Sequence, residues 1–322
     1  MTTEQPAPLL DLLATLDLEE LGAAQLSLQP LSTTTVESGE LPVPLPETFA
    51  EDITLFRGQS QKQPHGRVFG GQVLAQGVVA CGRTVRAVDG QGDRRLHSLH
   101  AYFMRPGDDT QPITFSVERM RDGRSFSTRR VHAIQHGKPI LSMSASFQTP
   151  DEGLDHQDEM PSVPDPLSVP SLSEVFAGVD HPSARHIAEG RAIEQRHVEG
   201  HLFVAPASEQ VADQRVWMRA TGTLPDDPLV HDAVLAYASD YSLLESILRR
   251  HGRTWTTPGL RAASLDHAMW FHRPARADEW ILYAEHSPSA QGGRGLAIGR
   301  MFTQDGVLVA TVAQEGMLRV PD

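Results

Sequence analysis

The spacing of apolar residues predicts a helix in the run LAYASDYSLLESIL, residues 235–248. Five positions share one face at the i, i+3, i+4 spacing of a helix: Ala236, Asp240, Leu243, Leu244 and Ile247. Four of them are apolar, and the fifth, Asp240, is a carboxylate. Burying an unpaired charge is costly, so a carboxylate on a core-facing helix is expected to have polar partners or a chemical task.

Two long helices are predicted, one in each half of the chain. The first follows the sequence RVFGGQ and runs over residues 72–85. The second begins at Pro228, which suits the first turn of a helix when Asp226 or Asp227 caps it, and continues to about Arg250. The run quoted above lies inside this second helix.

The helices are followed by strands that repeat after 168 positions. An aromatic-rich strand ends in Arg105-Pro106, and a similar strand ends in Arg273-Pro274. Downstream, each half contains a strand, a tight turn and a returning strand, with the turns at His136-Gly137 and Asp305-Gly306. One long period of this kind indicates a tandem domain duplication rather than a solenoid.

Each predicted unit has one long helix followed by several antiparallel strands, which is an α+β plan. A sheet that wraps its own helix, with two such sheets joined edge to edge, gives a double hot-dog fold of two tandem repeats. We divide the chain into an N-terminal extension (1–50, partly helical), a first hot-dog repeat (51–149), a Pro-rich acidic linker and connecting segment (150–212) and a second hot-dog repeat (213–322). In the extension, five leucines fall near one helical face: Leu9, Leu12, Leu13, Leu16 and Leu21.

The composition is that of an ordinary globular protein, with 39% hydrophobic and 21% charged residues among 322. The sequence contains no run of 18 apolar residues, so we predict no membrane insertion. The N-terminus lacks a basic region and a small-residue cleavage site, and Cys81 is the only cysteine. Both features favour a cytoplasmic location.

The charge distribution changes this picture, because it is uneven. The net charge of −13 argues against binding of nucleic acid, yet residues 51–150 carry +6 and the rest of the chain −19. A basic first half can receive an anionic ligand, and Arg124, Arg129 and Arg130 belong to a run with five arginines. A solvated strand face is the alternative interpretation of these arginines.

Several stretches of sequence, in order, resemble the type II acyl-CoA thioesterases, the family of double hot-dog thioesterases. They are LFRGQS (55–60), VFGGQV (68–73), YFMRPGD (102–108), RDGRSFSTRRV (121–131), YASD (237–240), DHAMWFHRP (266–274), TQDGVLVA (303–310) and QEGMLR (314–319). The first 50 residues lie outside the resemblance. It implies hydrolysis of fatty acyl-CoA to free fatty acid and coenzyme A, and we expect neither a cofactor nor a metal.

The resemblance also implies a catalytic set made of an Asp in the second helix, a Thr or Ser in a neighbouring strand and a Gln in the last strand. These fall on Asp240, Ser264 and Gln314. The chemistry agrees, since a carboxylate among apolar side chains has a raised pKa that suits a general base. The hydroxyl and the amide can fix one water against it. A buried Asp that caps backbone groups is the structural alternative.

The substrate is expected to contact both repeats. The Gly-rich turn VFGGQ precedes the first helix, where backbone N–H groups can point at a thioester carbonyl, although a plain turn is the simpler alternative. The predicted substrate-binding residues are Gly70, Gly71, Gln72, Arg124 and Arg129. An apolar slot beside the helices, with Leu243, Met269 and Trp270 as candidate lining residues, would take the acyl chain. Free sheet edges or helix faces favour a homo-oligomer.

Other constellations have simpler explanations. Asp266 and His267 look like a dyad, but neighbours on a strand point to opposite faces. Asp151 and His156 have the spacing of a hot-dog hydratase or dehydratase, yet they lie in the acidic linker. A catalytically silent acyl-CoA-binding module is a further alternative, but it would not need the three catalytic candidates together. No cluster of Cys or His has zinc spacing, so no metal site is expected.

Overall fold

The computed structural model describes residues 5–28, 49–88, 90–180, 182–203 and 205–320. The helices within these ranges are α1 (Ala7–Leu16), α2 (Gly70–Arg86), α3 (Leu172–Val175), α4 (Pro182–Glu189), α5 (Pro228–Ser239) and α6 (Glu245–Arg250). A short 3-10 helix spans Pro166–Ser168. None of the helices formed by the described residues is long and apolar enough to cross a membrane.

Among the described residues, thirteen strands form one sheet in which every pair of neighbours is antiparallel. They are β1 (Glu19–Leu28), β2 (Phe49–Gly58), β3 (Arg95–Phe103), β4 (Ile113–Asp122), β5 (Phe126–Gln135), β6 (Lys138–Gln148), β7 (Ile193–His197), β8 (Asp213–Ala220), β9 (Arg261–Ser264), β10 (Asp266–Phe271), β11 (Ile281–Gln291), β12 (Arg294–Thr303) and β13 (Leu308–Arg319). Their order is β1-β2-β4-β5-β6-β3-β10-β13-β12-β11-β8-β7, and β9 pairs with β13.

The two repeats join at the centre of this sheet, where β3 pairs with β10 and Asp266 lies opposite Tyr102. Outward from this junction the first repeat runs β3-β6-β5-β4-β2 and the second runs β10-β13-β12-β11-β8. Corresponding strands therefore occupy corresponding places, and the predicted double hot-dog fold is confirmed. The predicted hairpins are β5–β6 and β12–β13, with Gly137 and Gly306 at positive φ in their turns.

Helices α2 and α5 pack against each other in opposite directions, and α2 also lies against β4, β5 and β6. The start of α2 meets the end of α5, where a Cβ on Gly71 would lie 2.3 Å from the backbone oxygen of Tyr237. The end of α2 meets the start of α5, where a Cβ on Gly82 would lie 2.5 Å from a methyl group of Leu229. Glycine at these two places lets the helices approach closely.

The duplication makes the two ends of this helix pair equivalent in the fold, but only one of them opens into a cleft. At the closed end, formed by the end of α2 and the start of α5, Arg86 donates two hydrogen bonds to Asp227, at 2.8 and 2.6 Å. The space left there is about 10 Å³. At the cleft end, formed by the start of α2 and the end of α5, a cleft of about 640 Å³ opens beside Gly70 and Asp240.

The predicted second helix is interrupted beside the cleft. Helix α5 stops at Ser239, Asp240 caps its C-terminus, and a turn separates it from α6. Two buried side chains of the sheet hold this turn, since Gln214 donates to the backbone oxygen of Ser242 at 3.2 Å and Glu285 accepts from the Ser242 hydroxyl at 2.5 Å. The prediction of one continuous helix is therefore wrong. The contacts that hold the break come from strands distant in sequence, and the local helical pattern contains no information about them.

Segments outside the predicted repeats also join the structure. In the N-terminal extension, α1 buries Leu9, Leu12 and Leu16, whereas Leu21 lies in β1 and not on the helix. Residues 1–4 and 29–48 of this extension lie outside the described residues. Strand β1 pairs with β2, and β7 of the connecting segment pairs with β8. The sheet therefore extends beyond the repeat boundaries expected at 51 and 213.

Candidate active site

The cleft lies between the two repeats, at the cleft end of the helix pair. Much of its wall is apolar, and its larger apolar side chains include Val68, Phe69, Phe103, Ile140, Leu244 and Trp255. Asp240 and Ser264 interrupt this apolar wall. The combination of a mainly apolar cavity with a few convergent polar groups is typical of a small-molecule site.

The three predicted catalytic side chains form one hydrogen-bonded group. Nε2 of Gln314 donates to Oδ1 of Asp240 at 3.0 Å and to Oγ of Ser264 at 2.6 Å. The Ser264 hydroxyl donates to the same Oδ1 at 3.3 Å. Asp240 and Ser264 line the cleft, while Gln314 is only 1% exposed and lies behind them.

Three separate elements bring these side chains together. Asp240 caps α5, and Ser264 is the last residue of β9, where it lies opposite Gly316 of β13. Gln314 precedes Gly316 by two positions in β13, so both face the same side of the sheet, toward the helices. The pairing of β9 with β13 therefore sets the distance between the hydroxyl and the amide.

Asp240 has an environment that suits a general base. Burial raises the pKa of Asp240 to about 6, although hydrogen bonds from Gln314, Ser264 and the backbone N–H of Gly71 oppose this shift. The N–H of Gly71 belongs to the first turn of α2, where no helical acceptor is available. A Cβ on Gly70 would lie 2.6 Å from Oδ2 of Asp240. A pKa near 6 leaves the carboxylate mostly ionised at neutral pH.

His267 belongs to the same network, although the sequence did not assign it to the site. Its Nδ1 lies 2.6 Å from Oε1 of Gln314, and its Nε2 lies 2.9 Å from Oγ of Ser239. The Gln314 amide presents its N–H groups to Asp240, so its oxygen faces His267 and Nδ1 must carry the proton. Burial lowers the pKa of His267 to about 4, which keeps the ring neutral. His267 thus holds the amide oxygen while the N–H groups face Asp240 and Ser264.

The position of His267 beside Gln314 follows from strand alternation together with the register of β10 and β13. Asp266 and His267 do face opposite sides: Asp266 accepts from the backbone N–H of Glu315 at 2.7 Å, whereas His267 is fully buried. In the next register position Ala268 lies opposite Ala313 of β13, so His267 comes opposite Gln314. The sequence alone did not reveal that β10 and β13 are neighbours in this register.

The Gly-rich turn reaches the site less directly than expected. Gly70 lines the cleft, but the N–H of Gly71 is engaged by Asp240. The side chain of Gln72 is fully buried; it accepts from the backbone N–H of Gln61 at 2.9 Å and donates to Gln76 at 3.0 Å. The Gln72 side chain therefore joins a core network and does not reach the cleft.

The predicted arginines Arg124 and Arg129 lie at the closed end of the helix pair. Arg129 is fully buried and donates to Asp122 at 2.8 Å and to Thr84, near the end of α2, at 2.9 Å. Arg124 is exposed, and its backbone oxygen accepts from Arg94 at 3.0 Å. Helix α2 has 17 residues and is about 25 Å long, so both arginines are remote from the cleft at its other end. The structure therefore contradicts a substrate-binding role for the buried Arg129.

Other basic side chains line the cleft. Arg67, Arg105 and His65 line it, and both arginines are exposed. Among the described residues neither arginine forms an ion pair, whereas Arg273, which corresponds to Arg105 in the second repeat, pairs with Asp155. The duplicated Arg-Pro motif pointed to Arg105 and Arg273 as strand ends, but it carried no signal for ligand binding.

The remaining candidates lie away from the cleft wall. Leu243 and Met269 are buried in the core, and Trp270 is 37% exposed, so none of the three lines the cleft as predicted. Asp151 and His156 are exposed in the connecting segment. In the part of the chain that the structure describes, no group of three His, Cys, Asp or Glu residues is arranged to hold a metal ion.

Comparison with known proteins shows the family of the chain. The family model for the acyl-CoA thioesterase N-terminal domain matches residues 59–148, and the acyl-CoA thioesterase model matches residues 187–317. Acyl-CoA thioesterase 2 of Haemophilus influenzae is 39% identical, with 83% of this chain and 93% of that protein covered. The chain belongs to the acyl-CoA thioesterase family.

Further relatives of this acyl-CoA thioesterase chain come from human and from two mycobacteria. Human acyl-coenzyme A thioesterase 8 is 41% identical, with 84% of this chain and 86% of that protein covered. The solved structure of acyl-CoA thioesterase II TesB2 from Mycobacterium marinum is 45% identical, with a TM-score of 0.66 over 83% of this chain and 92% of that chain. A tesB protein from Mycobacterium avium subspecies paratuberculosis is 31% identical, with a TM-score of 0.71 over 97% and 100% of the two chains.

Proposed function

We propose that this acyl-CoA thioesterase family member hydrolyses fatty acyl-CoA to free fatty acid and coenzyme A, with water activated by Asp240. The observation that carries the proposal is the hydrogen-bonded group of Asp240, Ser264 and Gln314 beside a mainly apolar cleft. A carboxylate with a pKa near 6 can accept a proton from water at neutral pH. The relatives named as acyl-CoA thioesterases support the choice of substrate.

In the proposed reaction, a water molecule in the cleft lies against Asp240 and Ser264, and Gln314 holds these two side chains in place from behind. The water gives a proton to the carboxylate while its oxygen bonds to the thioester carbon, and the carbonyl electron pair moves to the oxygen. Gly70 lies on the cleft wall at the start of α2, where the positive end of the helix dipole favours this oxyanion. As the C–S bond breaks, the thiolate of coenzyme A leaves and takes the proton from Asp240.

Arg67 and Arg105 are proposed to bind the phosphates of coenzyme A, in place of Arg124 and Arg129. Replacing Arg105 with glutamine is expected to raise KM for acyl-CoA by about tenfold with little change in kcat, because a charge-assisted hydrogen bond to the substrate is lost equally in ground and transition states. The matched control is Arg124→Gln, which removes an exposed arginine remote from the cleft. Steady-state kinetics with acyl-CoA and acyl-pantetheine, which lacks the phosphates, test this. An equal rise in KM for both esters contradicts the assignment.

The value of kcat/KM is expected to rise with pH through about pH 6 and to level off above pH 7. Asp240 accepts a proton only when ionised, and burial raises its pKa to about 6, so activity is lost as the pH falls through that value. Ser264→Ala removes a hydrogen bond that lowers this pKa, so its profile should shift to higher pH. A rise centred near pH 4, the ordinary value for Asp, would count against a buried general base.

His267 is proposed to act as a positioning residue through Gln314. Replacing it with leucine is expected to lower kcat about tenfold or more with a smaller change in KM, since the buried Gln314 oxygen then loses its donor and the amide can move away from Asp240 and Ser264. His267→Asn is the conservative variant, because its amide N–H lies near the place of Nδ1 and should restore much of kcat. Similar losses of kcat in both variants indicate a purely structural role.

The proposed function itself is tested by measuring thiol release from a series of acyl-CoA chain lengths. Rapid release supports a thioesterase, and the series gives the preferred chain length. If no thiol is released but acyl-CoA binds, the chain is a silent acyl-CoA-binding module. If an enoyl-CoA is hydrated instead, a hot-dog hydratase is the better description.

Three predictions from the sequence stay predictions. They are the homo-oligomeric state, the cytoplasmic location and the division of the chain into an extension, two repeats and a connecting segment. Light scattering on the purified full chain measures the first. Limited proteolysis of the same sample tests whether cleavage falls between residues 150 and 212.

A further inference from the structure

The lining of the cleft differs between the two repeats. Its basic side chains all come from the first repeat, and they are His65, Arg67 and Arg105. The part of the wall that the second repeat contributes contains no basic side chain among the described residues, and its apolar members are Leu244, Trp255, Ala262, Ala263 and Leu265. With the phosphates of coenzyme A bound by the arginines of the first repeat, as proposed above, the acyl chain would extend from Asp240 along the second repeat.

Trp255 is the largest side chain in this part of the wall. It belongs to the segment between α6 and β9, and it is half-buried. Its indole Nε1 donates to Oε1 of Glu245, the first residue of α6, at 2.7 Å. A hydrogen bond to a carboxylate is stronger than one between two neutral groups, so this contact holds the indole ring at one place in the wall.

The space behind Trp255 is filled by buried polar side chains. Glu245 is only 2% exposed, and its Oε2 lies 3.3 Å from Nε2 of Gln214 and 3.6 Å from Nδ1 of His197. Gln214 and His197 are buried as well. An acyl chain that reaches the indole therefore cannot continue past it, because it would have to displace closely packed polar groups from their partners.

We propose that Trp255 limits the length of the acyl chain that the cleft accepts, and that Glu245 is the positioning residue for its ring. The proposal rests on the proposed function, because the acyl chain extends toward Trp255 only when coenzyme A is bound at the first repeat. Each CH2 group that enters the apolar part of the cleft leaves water and strengthens binding. Once the chain reaches the indole, further CH2 groups find no apolar space and add nothing to the affinity.

Calorimetric titration of the full chain with S-alkyl-CoA thioethers of increasing chain length tests the proposal, since thioethers are not hydrolysed. For wild type, the affinity is expected to rise about fourfold per CH2 group, which corresponds to about 0.8 kcal/mol, and then to level off. Trp255→Ala should move this levelling-off to longer chains. The longest thioethers should then bind about tenfold or more tighter than to wild type, because about two further CH2 groups are buried. Short thioethers should bind no more tightly.

The matched control is Trp270→Ala. Trp270 is 37% exposed on β10 and does not line the cleft, so this variant should keep the wild-type profile. Glu245→Leu removes the acceptor of the indole N–H and should shift the levelling-off in the same direction as Trp255→Ala. Glu245→Gln keeps an oxygen for the indole and should match wild type. If Glu245→Leu does not fold, the comparison of Trp255→Ala with wild type still decides the proposal.

The possible failures are distinguishable because calorimetry requires no turnover. If the affinity levels off at the same chain length in wild type and Trp255→Ala, the role of Trp255 is wrong, while the proposed hydrolysis can stand. If a folded Glu245→Leu variant matches wild type, Glu245 does not position the ring. If no thioether binds at any chain length, the proposed substrate is wrong and the role of Trp255 with it. Thiol release by wild type from the matching acyl-CoA esters measures hydrolysis separately.

Discussion

Replacing Asp240 with asparagine is expected to slow thiol release from acyl-CoA by at least about 10²-fold, the low end for loss of a general base. Asparagine keeps one oxygen that can accept from Gln314 and Ser264, but it cannot take a proton from water at neutral pH. KM should change little, because Asp240 is proposed to contact the reacting water rather than coenzyme A. The measurement is a continuous thiol assay at pH 7.5, where the wild-type carboxylate is ionised.

The control for this variant is Asp266→Asn. Asp266 is a half-buried carboxylate of β10 that accepts a backbone hydrogen bond from Glu315, on the face of the strand opposite His267. The Asp266→Asn variant is expected to keep most of the activity. If Asp240→Asn releases thiol as fast as wild type, Asp240 has a structural role and the proposed mechanism is wrong.

Replacing Gly71 with alanine is expected to cause large losses of both stability and activity. The added Cβ would lie 2.3 Å from the backbone oxygen of Tyr237, so α2 and α5 must move apart where they cross. Overpacking of this kind costs about 1–3 kcal/mol and sometimes more. Because the N–H of Gly71 also donates to Asp240, the same movement displaces the carboxylate. Thermal unfolding should show a lower Tm, and kcat should fall.

Gly77→Ala makes the same substitution in the same helix. Its Cβ would lie 2.9 Å from the terminal methyl group of Met143, a flexible side chain that can move. Alanine also favours a helix over glycine by about 1 kcal/mol, so this control should lose little stability. Equal losses of Tm in the two variants show that the helix crossing at Gly71 is not special.

The fold was accessible from the sequence because its main features are local or repeated. The two Arg-Pro strand ends and the two hairpin turns revealed the duplication, and the hairpins follow from turn residues and alternation. The break after Ser239 was not accessible in the same way. It depends on Gln214 and Glu285, which reach the turn from β8 and β11, and a local helical pattern contains no information about such contacts.

The site was accessible in part for the same reason. Asp240 stood out as a carboxylate on an apolar helical face, and the resemblance supplied Ser264 and Gln314. His267 was given no role and Arg129 was given a wrong one, because their roles depend on burial and strand register. A basic run in the sequence does not show that Arg129 is fully buried against Asp122. The orientation of the Gln314 amide likewise depends on a neighbour that only the paired strands bring close.

Because the two hot-dog units are fused in one chain, the two ends of the helix pair are encoded separately, and their residues can change independently. In an assembly of two identical subunits, every substitution appears at both symmetry-related ends at once. In the fused chain, Arg86 and Asp227 close one end while Gly70 and Asp240 stay at the open end. Selection can therefore favour tight packing at one end without sacrificing catalysis at the other. A binding titration with a non-hydrolysable acyl-CoA analogue is then expected to count one bound acyl group per polypeptide, although the polypeptide contains two hot-dog units.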